Sequence, residues 1–322
     1  MTASLRVIFF GTPAFAVPTL EALLGSSHTL VAVVTQPDKP RHRGQHVSGS
    51  PVKIVADAAG VPVWQPDRLK DPAFLERVSA LAPDAGVVAA YGRILPAPLL
   101  TIPRLGLLNV HASLLPRHRG AAPVHRAIMA GDRETGITIM HIVEALDAGP
   151  MLAAVTRAIG PDETSVEVER DLARIGADLL VRTLDRVAAG RARPVEQDEG
   201  AATYAPRLAK ADGVIDWGRT ASALHNQVRG LHPWPHASAS LDDRRIIVLR
   251  TALYPDGADA AGQAAGTILP VARGRLLVAA GENTVLEILT LQLAGGRPMP
   301  AHAFLAGHPL PAGARFAGPP AA

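Results

Sequence analysis

Up to about residue 190 the chain alternates short, nearly uninterrupted apolar runs with stretches whose apolar residues recur every three or four positions. The runs Leu5–Phe10, Leu30–Thr35, Ala85–Ala90, Gly106–His111 and Ile137–Val143 have the length and composition of strands buried on both faces. Between and after them, Phe15–Leu24, Val52–Ala59, Pro72–Leu81, Pro123–Ala130 and Ser165–Ala188 carry the helical period. This alternation predicts an α/β domain over residues 1–189, a doubly wound, mostly parallel, Rossmann-like sheet. A polar, strand-poor stretch, residues 190–207, then reads as a linker. From residue 208 to 322 the pattern changes. Ile246–Leu249, Gly266–Leu269, Leu276–Ala279 and Leu286–Leu293 are short runs separated by Gly, Pro and Asp, which predicts a small, OB-like β-barrel. There is no internal repeat.

One predicted strand breaks its own pattern. Within GLLNVHASLLPRHRG, residues 106–120, side chains alternate, so Leu107, Asn109 and His111 share one face. A strand buried on both faces should be apolar throughout; two polar groups at its C-terminal end mark the edge where open α/β sheets bind ligands. The plain alternative is a capped strand end holding a satisfied Asn and His. Asp147, in HIVEALDAGPML, follows the next predicted strand and could join them. An amide can hold a carbonyl or developing oxyanion, an imidazole can move a proton, and a carboxylate can fix the imidazole tautomer. No Ser stands in a G-x-S-x-G context and the chain contains no Cys, so a covalent acyl-enzyme has no obvious nucleophile. Direct acyl transfer between two bound substrates fits this set better.

Two loops add to the picture. Phe10-Gly11-Thr12-Pro13 lies where a dinucleotide-binding fold carries G-x-G-x-x-G, and only Gly11 is present. The stretch 37–51 holds Lys39, Arg41, Arg43 and two His with Gly44 and Gly49, too polar for a sheet core. Such a run is either a solvated face or a segment that orders on a phosphate backbone.

Composition narrows the classes. At 322 residues the chain can hold two domains with sizeable cores, and 48% hydrophobic with 19% charged residues is ordinary for a soluble protein. No apolar run approaches a membrane span and no signal-peptide pattern opens the chain, so a cytoplasmic location is expected. The lack of Cys excludes disulfides and Cys-ligated metal, and the 12 His show no H-E-x-x-H spacing. A net charge of +3 permits a polyanionic partner without requiring one. Beyond Leu208, ten Lys/Arg stand against eight Asp/Glu, so any RNA contact there must rest on where charges sit. The tail AGPPAA is expected to fray.

NVHASLLPRHRGAAPVHRAIMAGDRETGITIM followed by LDAGPML resembles the signature of the folate-dependent formyltransferases. FFGTPAFAVPTLEALL, TQPDKPRHRGQHVSGSPVK, PDAGVVAAYGRILP and the later IDW and HPWP are similar to members acting on a charged tRNA, and the likeness runs from about residue 5 to 300. It implies transfer of a formyl group from N10 of 10-formyltetrahydrofolate to the α-amine of Met on initiator tRNA, without a metal, by a chain expected to be monomeric. The catalytic residues it implies are Asn109, His111 and Asp147. For the folate it implies backbone at Arg93, Leu95, Val143 and Glu144, with Ser113, Leu114, Leu115 and Pro116 lining the pocket. For the tRNA it implies Gly11, Thr12 and Pro13, and Lys39, Arg41 and above all Arg43 in the basic insertion. Arg117, Arg119 and Arg126 are open between the folate tail, RNA and solvent, and His118 stands where some relatives have an aromatic residue. Three alternatives remain at this point. A glycinamide-ribonucleotide formyltransferase usually lacks the second domain and carries a glycine-rich phosphate loop. A formyltetrahydrofolate hydrolase has no need of the basic insertion. A non-catalytic RNA-binding module would have no need of an intact Asn–His–Asp set.

Overall fold

The computed structural model describes residues 4–41, 46–242, 244–255, 260–270, 274–311 and 313–317, with the backbone alone at 39–41 and 46–47. Contacts divide the chain into two compact units. The first comprises Met1–Pro123, Glu134–Arg157 and Glu169–Pro206; the second comprises Val124–Arg133, Ala158–Val168 and Arg207–Ala322.

In chain order the elements up to residue 205 are β1 (Arg6–Gly11), α1 (Val17–Leu24), β2 (Thr29–Val34), β3 (Lys39–Arg41), β4 (His46–Ser48), α2 (Pro51–Ala58), β5 (Val63–Trp64), α3 (Pro72–Ala80), β6 (Ala85–Ala89), α4 (Ala97–Leu100), β7 (Leu107–His111), β8 (Arg119–Gly120), α5 (Pro123–Ala130), β9 (Glu134–His141), β10 (Met151–Ala158), α6 (Ser165–Ala188) and β11 (Tyr204–Ala205). The first unit is built on a seven-stranded sheet ordered β10-β9-β7-β6-β1-β2-β5. Pairing is parallel from β5 to β7 and antiparallel between β7 and β9. The α/β reading therefore holds. Apolar runs such as Val7–Phe10 are wholly buried because both faces of these strands are covered. Helix starts follow local chemistry. Ser50 Oγ accepts from the Lys53 amide at 3.1 Å and Asp71 from the Ala73 amide at 3.1 Å, each followed by Pro at the first helical position.

The second unit continues with α7 (Ala221–Gly230), β12 (Ala237–Leu241), β13 (Arg244–Leu253), β14 (Leu276–Ala280), β15 (Thr284–Leu293), β16 (Met299–Pro300) and α8 (Ala301–Gly307). Its antiparallel sheet runs β12-β13-β15-β14, with β16 beside β15. Bridges then close the ring: Ile268 pairs with Val278 of β14, Thr267 with Arg315, and Ala317 with Ser240 of β12. The expected barrel is thus formed, although 266–269 contributes bridges rather than a strand. Phe316 is 1% exposed and stacks on Trp217 at 5.3 Å, so residues 314–317 belong to the barrel wall; 318–322 lie outside the described residues. Helix α5 also belongs to this unit. Arg126 makes a two-pronged contact to Asp212 at 3.0 and 2.9 Å, and Gly230 of α7 admits the Met129 side chain so closely that a β-carbon would sit 2.8 Å from it.

One helix carries a misplaced charge. Burial pushes the Glu169 carboxyl of α6 up to about 7. A raised carboxyl holds its proton in the folded state after the unfolded chain has released it, so stability falls as pH climbs from about 4.5 to 7 and levels off above. Glu169→Gln should therefore stabilise the protein by about 1–3 kcal/mol at pH 8 and by far less at pH 5. Thermal melts at the two pH values check this; an equal shift at both would refute it.

Candidate active site

Strand β7 sets Asn109 and His111 on one face. It is held by β6 through the Val88–Asn109 pair and by β9 through the Asn109–Met140 and His111–Thr138 pairs. His111 is 5% exposed, and its Nε2 lies 3.1 Å from the His118 carbonyl oxygen. A carbonyl only accepts, so this contact places the ring proton on Nε2 and leaves Nδ1 facing Asp147 Oδ2 at 3.7 Å.

Asp147 arrives by an excursion between β9 and β10. The chain leaves β9 where the Ile142 amide donates to the Leu107 carbonyl at 2.8 Å, and re-enters β10 beside His141, whose amide donates to the Pro150 carbonyl at 2.9 Å. Asp147 itself has φ +49°, a left-handed backbone that an L-residue adopts at some cost. Its Oδ2 accepts from the Gly120 amide at 2.8 Å. Gly120, at φ +124°, cannot be replaced without strain, because a β-carbon there would come within 2.6 Å of the Ala205 carbonyl oxygen.

The turn after His111 is built from its own polar groups. Ser113 Oγ donates to the Arg117 carbonyl at 2.6 Å, while Thr138 Oγ1 donates to the Ser113 carbonyl at 2.7 Å and accepts from the Leu115 amide at 3.1 Å. Ser113 and Leu115 are buried, and Leu115–Pro116 is a cis peptide bond. Beneath this turn runs the segment expected to act only as a linker. Val195 and Met151 exchange amide bonds at 2.8 Å, and Thr203 Oγ1 accepts from the His118 amide at 2.9 Å. The short strand β11 pairs in parallel with β8. Arg119, 2% exposed, points its guanidinium at Gln197 Oε1 (3.0 and 2.9 Å) and at both Glu199 oxygens (2.9 and 2.7 Å). Of the three arginines left open by sequence, Arg119 is thus internal and Arg126 pairs with Asp212.

Elsewhere the predicted residues are placed as follows. Tyr91–Pro96 leaves the C-terminal edge of β6; the Arg93 guanidinium donates to the Pro66 and Asp67 carbonyls at 2.8 and 2.6 Å. Leu95 packs against the core while its neighbour Ile94 is 89% exposed. Val143 is 39% exposed and Glu144 is exposed. At the loop after β1, Thr12 Oγ1 donates to the Tyr91 carbonyl at 3.1 Å, joining the chain ends where the strand order reverses; Pro13 is exposed. Gly11 is required by packing, since a β-carbon would lie 2.6 Å from the Phe9 ring. In the basic insertion β3 and β4 pair antiparallel, Lys39 with Ser48 and Arg41 with His46. Arg43, the arginine singled out by resemblance, lies outside the described residues.

Sequence reasoning missed Gln197, Thr138 and Thr203. For Gln197 and Thr203 the signal was weak, because a polar residue in a polar stretch gives no sign that it has a buried partner; Thr138 sits in the apolar strand β9, where a Thr reads as an ordinary strand former. Among the described residues no group of His, Asp and Glu is arranged to hold a metal, and no helix is long and apolar enough to cross a membrane.

A seven-stranded α/β sheet with an imidazole–carboxylate pair at the C-terminal end of β7, followed in the chain by a closed β-barrel, defines a two-domain formyl transferase. The chain matches the formyl transferase family over residues 5–184 and the formyl transferase C-terminal domain over 207–309. A methionyl-tRNA formyltransferase of Citrifermentans bemidjiense is 46% identical over 94% of this chain and 93% of its own length. One of Methylococcus capsulatus is 46% identical over 94% of this chain and 96% of its own. Among solved structures, the N-formyltransferase of Helicobacter canadensis in complex with folinic acid and dTDP-3-aminofucose has the same fold. It superposes with TM-score 0.68 at 16% identity, over 88% of this chain and 98% of that one. The chain belongs to the methionyl-tRNA formyltransferase family.

Proposed function

We propose that this chain transfers the formyl group of 10-formyltetrahydrofolate to the α-amine of methionyl initiator tRNA, in the cytoplasm, giving N-formylmethionyl-tRNA for translation initiation. The observation that carries this reading is identity of 46% across both domains to methionyl-tRNA formyltransferases. In this reading residues 1–189 catalyse, 190–207 connect, and 208–322 bind tRNA.

The neutral amine attacks the formyl carbon, the bond to N10 breaks, and one proton passes from the amine to N10. Asn109 donates to the formyl oxygen as it gains charge. His111 takes the amine proton, and Asp147, 3.7 Å from its Nδ1, orients the ring and stabilises the imidazolium that results. The donor is already an activated amide, so no metal is required. The loops carrying Arg93, Leu95, Val143 and Glu144, with Ser113–Pro116, hold the folate. Gly11–Pro13 and the Lys39–Arg43 insertion meet the tRNA acceptor end.

Incubation with labelled 10-formyltetrahydrofolate and methionyl initiator tRNA, glycinamide ribonucleotide or water separates the alternatives: label should pass to the tRNA alone. Arg43→Ala should weaken methionyl-tRNA engagement and lower the salt slope by roughly 0.7–0.9, leaving folate affinity nearly unchanged. Equal losses for both substrates would show that the insertion instead organises the whole site.

A further inference from the structure

Asp147 poses a problem of position. Its backbone is in the left-handed region at φ +49°, its neighbours Glu144, Ala145 and Leu146 are exposed, and yet its carboxylate must meet a fixed ring nitrogen. A strained residue on an exposed excursion keeps its place only if its surroundings hold it from more than one side. Two contacts do so. The Gly120 amide holds the carboxylate at 2.8 Å, and the Gln197 amide nitrogen donates to the Asp147 carbonyl at 2.8 Å and to the Gly149 carbonyl at 2.8 Å. Both lead back to one residue. Arg119 directly precedes Gly120, and its guanidinium fills the other end of the Gln197 amide, the Oε1, through Nε and Nη2.

This polarity matters. A side-chain amide can turn over and exchange its oxygen and nitrogen. Arg119 has only donors, so it fixes Gln197 with the oxygen towards itself and the NH2 towards the 147–149 carbonyls. Gln197 is 9% exposed and Arg119 2%, and Glu199 balances the buried cation with both its oxygens. Gly149 completes the fit: a β-carbon there would collide with the His141 carbonyl, so the loop's return path has no slack on that side.

We infer that Gln197, oriented by Arg119, is a positioning residue for the reaction. It clamps the carbonyls on either side of the Asp147 turn so that the carboxylate stays opposite His111 Nδ1. Neither residue touches substrate in this role; they act through Asp147. The kinetic consequence rests on the formyl-transfer reading above, whereas the clamp itself does not.

Gln197→Glu tests it. Glutamate keeps an acceptor, and a stronger one, for Arg119, so the variant should fold with a melting temperature close to wild type. It has no N–H to give the Asp147 and Gly149 carbonyls, and repels them when ionised. Hydrogen exchange read by mass spectrometry should show faster exchange confined to peptides covering 118–122 and 143–150, with β7 and β9 unchanged. The rate constant kcat for tRNA formylation should fall roughly 10–100-fold with KM for both substrates little altered. In an Asp147→Ala background the same change should have almost no further effect, because there is no carboxylate left to place. Unchanged exchange in both segments would overturn the clamp whatever the activity. So would a loss of kcat that adds fully to that of Asp147→Ala. Faster exchange in a protein whose wild type fails to formylate methionyl-tRNA would leave the clamp standing and remove the proposed substrate.

Discussion

Alanine at His111 should slow formyl transfer by about 10²–10³-fold at saturating substrates, and alanine at Asn109 should do the same, because one donor to a developing oxyanion, or one positioned proton acceptor, has about that effect. His111 is the sharper test. Its ring is 5% exposed and held between the His118 carbonyl on Nε2 and the Asp147 carboxylate opposite Nδ1. Asp147→Ala should also lose orders of magnitude, with an added contribution from freeing the Gly120 amide, whose acceptor disappears. Binding of methionyl-tRNA should change much less in all three, since none of the lost groups is a basic contact. Rapid-quench single turnovers give the chemical step, and filter binding gives the affinity. A near-wild-type single-turnover rate for Asn109→Ala or His111→Ala would remove these residues from the mechanism.

The parts of this molecule that could be read from its sequence share a cause: their neighbours were alike. Strands β1, β2 and β6 are buried on both faces and announce themselves as continuous apolar runs. Asn109 and His111 stood out because they break such a run. The strand β10 was not expected, because only Leu152 of Met151–Ala158 is buried and Ala fills three of its positions, which leaves no apolar run. Helix α7 was hidden for a different reason. His225, Gln227 and Arg229 are buried on it by hydrogen bonds to Thr251 and Pro161, to Asp212 and Val214, and to Gly160 and Glu163, so its inward face does not read as apolar. The same blindness affects the catalytic region. Polarity along 190–207 suggested a linker, yet Gln197, Glu199 and Thr203 are polar because each answers a group on the 118–120 turn. At the far end, Phe316 is a single aromatic in a tail of Gly, Pro and Ala, and no periodicity could reveal that it stacks on Trp217. Pattern reading finds surfaces that meet in bulk; pairwise polar contacts between distant segments leave no local trace.

That distinction makes the position of a truncation decisive. By composition, a chain ended at Gly200 should be a complete catalytic domain. By structure it is not, because removing 201–206 strips the acceptors from the 118–122 turn. The His118 amide loses Thr203 Oγ1, the Arg119 amide loses the Thr203 carbonyl, and the Ala121 and Ala122 amides lose the Ala205 carbonyl. The strand pair β8–β11 goes with them. Four hydrogen bonds at about 1 kcal/mol each amount to a sizeable part of a domain's net stability. A chain ended at Pro206 keeps all four. It keeps the first unit's sheet as well, and both truncations equally lose the α7 and Asp212 partners of α5. The chain ended at Gly200 should therefore melt roughly 10 °C below the one ended at Pro206, with fast amide exchange at 118–122. The loosened turn carries the His118 carbonyl and the Gly120 amide, which hold His111 and Asp147. Any residual formyl transfer should then be weaker from the shorter chain than from the longer, and both should fall well below the full chain on methionyl-tRNA. Equal melting temperatures and equal exchange at 118–122 would show that the segment from Ala201 to Pro206 is a tether after all.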